Sequence, residues 1–171
     1  LNMSFRMNDF VCHDEKMRRV LDMVKVIAGT GSTVLITGES GTGKTLVARA
    51  IHTNSARSKG RFLEVNCGAL PETLLESELF GHVKGAFSGA VSKKHGKFEA
   101  ADKGTIFLDE VSLASPSLQM KLLRVLESFE FEPVGSNDTQ TSSARLIVAS
   151  NIDLEKLVAA DKFRMDLFYR L

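Results

Sequence analysis

Charge of one sign, cysteine and proline are all scarce in this sequence, and each scarcity removes a class of protein. The 171 residues carry 22 Lys plus Arg against 21 Asp plus Glu, a formal charge of +1. A dedicated nucleic-acid-binding domain needs an excess of cations to meet phosphates, so this balance argues against one, although it leaves room for a small basic patch. The two cysteines, Cys12 and Cys67, are too few for a disulfide framework and sit in no metal-ligand spacing. They read as ordinary thiols of a reducing compartment. With 13 glycines and 3 prolines, the collagen-like, low-complexity and disordered classes are excluded. No apolar run approaches the roughly 20 residues that a membrane helix needs. The opening Leu1-Asn2-Met3-Ser4-Phe5-Arg6 also lacks signal-peptide anatomy. A cytoplasmic protein without membrane contact is expected. Length and an apolar content of 43% fit one packed domain over 1–171. The stop at Phe168-Tyr169-Arg170-Leu171, straight after an amphipathic stretch, reads as a domain cut from a longer polypeptide.

What is present is an alternation of helical and extended patterns, with no internal repeat. Met17, Val20, Leu21, Val24 and Ile27 recur at helical spacing, which predicts a helix over 14–28. The β-branched run 33–37 predicts a buried strand ending at Gly38, and a helix follows from Lys44 to about Ser55. Further strands are expected at 62–66, 105–108 and 146–149, with a helix after Pro71. Ser115-Pro116 reads as an N-cap followed by Pro at the first helical position. Leu118, Leu122, Val125, Leu126 and Phe129 form the apolar face of that helix, and alternation through Glu132 with the turn cluster Gly135-Ser136-Asn137-Asp138 predicts a hairpin. Asp153 is expected to cap one final helix. Strands apolar on both sides, alternating with helices, imply an α/β fold: a parallel sheet covered on both faces, with ligands at the carboxyl ends of its strands.

The residues with chemistry fall at those ends. Gly38-Glu39-Ser40-Gly41-Thr42-Gly43-Lys44-Thr45 fits G-x-x-x-x-G-K-[ST] between a strand and a helix. Glycines let backbone N–H groups wrap a polyphosphate at a helix N-terminus, Lys44 would neutralise the outer phosphates, and Thr45 could offer its hydroxyl to Mg²⁺. The apolar run 104–108 ends in Asp109-Glu110. Alone, such a pair is a common solvated turn. Beside a phosphate loop it matches the needs of hydrolysis, with Asp109 on Mg²⁺ and Glu110 on the attacking water. Asn66 and Ser150-Asn151 also end strands, where they serve either as turn formers or as readers of the γ-phosphate.

The middle of the chain goes further. Glu76-Ser77-Glu78-Leu79-Phe80-Gly81-His82 leads into Gly85-Ala86-Phe87-Ser88-Gly89-Ala90. This resembles the ESELFGH and GAFTGA signature of the AAA+ domain of sigma-54-dependent transcription activators, and the likeness runs in order and spacing from about Val11 to Leu171. The resemblance implies a P-loop NTPase three-layer αβα core and a ring-forming, usually hexameric ATPase using ATP and Mg²⁺. Such an ATPase remodels closed promoter complexes of sigma-54 RNA polymerase. It implies that Gly85–Ala90 touches sigma-54, with Phe87 as an exposed apolar anchor. It further implies that Asn66 holds Glu110 in a switchable pose and that Ser150 and Asn151 are sensor residues. Arg164 and Arg170 would reach the γ-phosphate of a neighbouring subunit.

Departures from the family pattern are Ser88 for the usual Thr, Thr45 where Glu is frequent, and Pro133 where Arg is usual. The family's helical lid would follow Leu171, and DNA binding would belong to a domain absent from this sequence. Two alternatives are carried. One is a nucleotide-dependent interaction module with little turnover as an isolated fragment, and the other is a metabolic P-loop enzyme.

Overall fold

The computed structural model describes residues 15–171, so Cys12, Asp14 and the opening Leu1–Arg6 stretch lie outside the described residues. The chain runs α1 (Glu15–Ala28), β1 (Val34–Thr37), α2 (Lys44–Thr53), β2 (Phe62–Asn66), α3 (Glu72–Phe80), β3 (Gly81–His82), β4 (Lys94–His95) and α4 (Lys97–Ala100). It continues through β5 (Thr105–Asp109), a 3₁₀ turn (Val111–Leu113), α5 (Pro116–Ser128), β6 (Glu130–Phe131), β7 (Gln140–Thr141), β8 (Arg145–Ser150), α6 (Leu154–Ala159) and α7 (Met165–Phe168).

β1, β8, β5 and β2 pair side by side in that order, all parallel, as the double-sided apolar runs predict. Alternate residues of the inner strands then face opposite layers. Ile106, Leu108, Leu146 and Val148 pack with Leu75 and Leu79 of α3, Leu118 and Leu122 of α5, and Leu167 of α7. Phe107, Ile147 and Ala149 face Val24 of α1 and Ala48 and Ile51 of α2. The result is a three-layer α/β sandwich with the sheet in the middle.

α5 starts where its sequence says. Ser115 Oγ accepts from the Leu118 amide at 3.2 Å and donates to Glu72 Oε1 at 2.6 Å, so the cap also ties α5 to the first turn of α3. The end differs from expectation. The helix stops at Ser128, and Phe129 turns left-handed at φ 60° with its ring 56% exposed instead of continuing the apolar face. That reversal lets the chain enter the β6–β7 hairpin. A second difference lies beyond β8, where Asp161 at φ 54° breaks the expected final helix into α6 and α7. Two-residue strands β3 and β4 pair antiparallel and carry no periodicity that could have revealed them.

Arg145 fastens the end of α1 to the start of β8. Its buried guanidinium donates to the carbonyls of Ser32 at 3.0 Å, Ile27 at 2.8 Å and Ala28 at 3.4 Å, capping the C-terminus of α1. Arg145→Met should therefore cost about 2–4 kcal/mol, because buried carbonyls lose a charged donor. Urea unfolding checks this, and an unchanged midpoint would show that the cap carries no stability.

Candidate functional site

The loop Gly38–Thr45 connects β1 to α2. Gly41 and Gly43 take φ of 79° and 88°, a region where L side chains are strained, and no atom lies within 4 Å of where a Gly41 Cβ would sit. The loop mouth is therefore open and lined by backbone. The helical ladder begins with Val47 N donating to Gly43 O at 3.1 Å, so the preceding amides of α2 point out of the helix end. The buried Lys44 folds over this mouth, its Nζ donating to Glu39 O at 2.7 Å and Gly38 O at 2.9 Å. Thr42 Oγ1 braces the loop on Glu39 O at 2.8 Å, and Gly38 N donates to Ser150 O of β8 at 3.2 Å.

Two strands away, β5 ends in the acids. Asn66 and Asp109 are register partners, and Asp109 Oδ1 accepts from the Glu110 amide at 2.9 Å. Glu110 itself is left-handed (φ 55°, ψ 44°), a strained state for a glutamate and one that clusters at functional sites. A Cβ at Gly68 would come 3.0 Å from Glu110 Oε2 and 3.3 Å from Asn66 Oδ1, so both side chains lie over that glycine. Asn66 Oδ1 accepts from Gly68 N at 2.7 Å, and among the described residues no hydrogen bond joins Asn66 to Glu110. Ser112 Oγ, two residues on, is the one buried side-chain polar atom without a hydrogen-bond partner among the described residues.

At the end of β8, Ser150 is buried, and its hydroxyl is engaged with Ile152, accepting from the amide at 3.1 Å and donating to the carbonyl. Asn151 is exposed at the carboxyl edge. The arginines belong to another region. Arg164 makes a two-pronged contact with Asp166 at 3.0 and 2.7 Å, and Arg170 pairs with Glu127 at 3.0 Å. Arg170 lines a cleft of about 560 Å³ with Glu127, Tyr169 and Thr33, the residue before β1 and hence at the amino edge of the sheet. Neither arginine forms a hydrogen bond or ion pair with the Gly38–Thr45 loop of its own chain. The backbone of Arg164 is fixed by Gln119, which is buried in α5. Its Oε1 accepts from Arg164 N at 2.8 Å, while Nε2 donates to Ala114 O at 2.8 Å and Lys162 O at 3.2 Å. Sequence reading passed over Gln119 as one more helical residue, and a glutamine on the inner face of an apolar helix was the available signal.

The Gly85–Ala90 segment is a small closed loop, with Gly85 N donating to Ala90 O at 2.8 Å and Ala90 N to Phe87 O at 3.0 Å. Gly85 and Gly89 both take positive φ, 82° and 102°. Phe87 differs from its expected exposure, being half-buried against the ring of His82.

A family model described as the sigma-54 interaction domain matches residues 10–171. The chain belongs to that family. It is 57% identical over 164 residues to the Nif-specific regulatory protein of Azotobacter vinelandii, covering 96% of this chain and 31% of that protein. To the Nif-specific regulatory protein of Bradyrhizobium diazoefficiens it is 59% identical over 152 residues, covering 89% of this chain and 26% of the relative. The chain thus spans under a third of the length of these relatives. Crystal structures of NtrX from Brucella abortus in complex with ADP and with ATP superpose with TM-scores of 0.87 and 0.88 at 38% and 37% identity, each covering 95% of this chain and 35% of that one. The P-loop NTPase domain of an E. coli sigma-54 transport activator superposes at 0.58 with 18% identity, over 91% of this chain and 99% of that one, a likeness of fold alone. The α/β P-loop NTPase architecture of the chain is that of these structures. No helix among the described residues is long and apolar enough to cross a membrane.

Cys67, between Asn66 and Gly68, has its thiol pushed up to about 12 by burial, with the charges of Asp109 and Glu110 adding to the effect. The folded chain therefore keeps this proton in the range where an unfolded thiol, near about 8.5, releases it. Stability linked to Cys67 is complete below that value and falls as pH rises from there toward about 12. Between pH 8 and pH 10 the urea midpoint should fall further in the parent than in Cys67→Ala. Equal losses would mean that the thiol does not titrate differently on folding.

Proposed function

We propose that this chain binds ATP with Mg²⁺ in the Gly38–Thr45 loop and hydrolyses it. We further propose that turnover drives Gly85–Ala90 against sigma-54 within a self-assembled ring, activating transcription from closed promoter complexes. The carrying observation is the strand register that ends the loop-bearing β1 and the acid-bearing β5 at one sheet edge, with Glu110 strained beside Asp109. Assigned to residues 1–171, this would be the AAA+ α/β core. Contact with DNA would be left to other parts of a longer protein, and the working compartment would be the cytoplasm.

The site suits the nucleotide. An open glycine mouth with outward amides is a cradle for phosphate oxygens, and Lys44 would exchange its two loop carbonyls for them. Thr45 and Asp109 supply one hydroxyl and one carboxylate. Among the described residues no cluster of three or more His, Cys, Asp or Glu forms a closed cation cage. So sparse a donor set suits Mg²⁺, which keeps water and phosphate among its ligands. When bound, MgATP supplies the phosphoanhydride that is broken. Glu110 would orient a water and take its proton, Asn66 would select the Glu110 rotamer across Gly68, and Ser150 would hold the turn that presents Asn151. Arg164 and Arg170 would leave Asp166 and Glu127 to stabilise charge on the nucleotide of a neighbouring subunit.

That last pairing favours a second reading for the chain by itself. With both arginines occupied by acids of their own chain, an isolated copy would act as a nucleotide-dependent binding module with slow turnover. Glu110→Gln separates binding from chemistry. The variant should retain ATP binding while steady-state hydrolysis drops about 100-fold or more. Phosphate release at the parental rate would remove Glu110 from the water-activating role.

A further inference from the structure

The Gly85–Ala90 loop has a buried neighbour that no part of the functional reading uses. His82 ends β3, three residues before Gly85, and is buried. Its Nδ1 lies 2.7 Å from Ser77 Oγ, itself buried in α3, so the imidazole plane is pinned to the helix below. The ring of Phe87 meets this imidazole at 5.0 Å between centroids and 71° between planes, an edge-to-face contact. It is the one ring contact that Phe87 makes among the described residues.

The surroundings of the pair differ in rigidity. Below Gly85 the chain is tied to two neighbouring segments. Gly81 pairs with His95, His82 pairs with Lys94, Val83 N donates to Val134 O at 3.1 Å, and Val134 N donates to Gly81 O at 2.9 Å. Gly135 seals the joint, since a Cβ there would fall 2.7 Å from the Ala86 Cβ. Above, Gly85 and Gly89 flank Phe87 with positive φ, and a Cβ on either would find open space. Backbone hydrogen bonds from Gly85 N to Ala90 O and from Ala90 N to Phe87 O close the loop, and the Phe87 ring rests on His82.

We propose that His82 is a positioning residue that stows Phe87, holding the loop against the body of the domain through Ser77 until partner binding or the nucleotide cycle releases it. The inference rests on the reading of Gly85–Ala90 as the partner-contacting loop, and adds the device that sets its resting position. An edge-to-face pair of this kind corresponds to about a two- to tenfold bias in a docked-to-released equilibrium.

The sequence contains no tryptophan and one tyrosine, so Phe87→Trp gives a single tryptophan at the loop tip of the full chain, read selectively by excitation at the red edge where Tyr169 does not absorb. In that background His82→Ala should raise the released population about two- to tenfold, read as greater acrylamide quenching, and Ser77→Ala should move it the same way by less. His82→Phe, which keeps a ring at the contact, should restore shielding. Equal quenching with and without His82→Ala, at unchanged circular dichroism, overturns the proposal, as does failure of His82→Phe to restore shielding. If His82→Ala does not fold, Ser77→Ala decides in the same two directions. A parallel capture assay with purified sigma-54 keeps the two ideas apart. His82→Ala without the tryptophan probe should increase nucleotide-free capture. Quenching that follows His82 while sigma-54 is captured in no nucleotide state supports the stowing role and overturns the partner reading.

Discussion

Everything at the site depends on β8 running parallel between β1 and β5. Thr37 pairs with Ser150, Leu108 with Val148, and on the far side Asn66 with Asp109, so the strands end at one level. Neighbouring strands lie about 4.8 Å apart, which brings a glycine loop and a pair of acids to opposite ends of a short polar shelf. Slipping β8 by one residue would turn Ile147 and Val148 to the wrong layers, since side chains alternate. The six residues of β8 are all buried, which fixes the register from both faces. Packing thus specifies where the polar ends fall.

On that rigid shelf the structure concentrates its local strain. Glu110 in a left-handed conformation costs about 1–3 kcal/mol, and persists only because its surroundings over-determine it. The fully buried Val111 follows, Asp109 Oδ1 holds the Glu110 amide, and Gly68 offers no side chain to push the carboxylate away. The loop tip follows the opposite rule. Gly85 and Gly89 take positive φ with open space around them, and the Phe87 ring between them rests on His82.

Much of this is legible in the sequence. The strands expected at 105–108 and 146–149 are apolar on both sides, a pattern that a buried parallel sheet produces and little else does, and they lie within β5 and β8. The glycine loop between β1 and α2 was legible because the positive φ at Gly41 and Gly43 favours glycine there. The misjudged elements share a physical cause, which is that tertiary contacts decided them. Phe129 fits the helical period, yet the hairpin pulls it out of the helix. Asp161 breaks the last helix without the Gly or Pro that usually announces a break. The sequence also gives no sign that Ser150 closes its own turn through Ile152. Phe87 in a glycine-rich run looks exposed, because the imidazole that shelters it stands five residues earlier.

The central claim is that Lys44 leaves two backbone carbonyls to meet a triphosphate. Titration calorimetry of ATP with Mg²⁺ into the chain and into Lys44→Ala tests it directly. The account predicts saturable binding by the parent that falls at least about tenfold in the variant, as expected when a charge-assisted contact is removed. Parent and variant binding ATP equally, or neither binding it, would contradict the account.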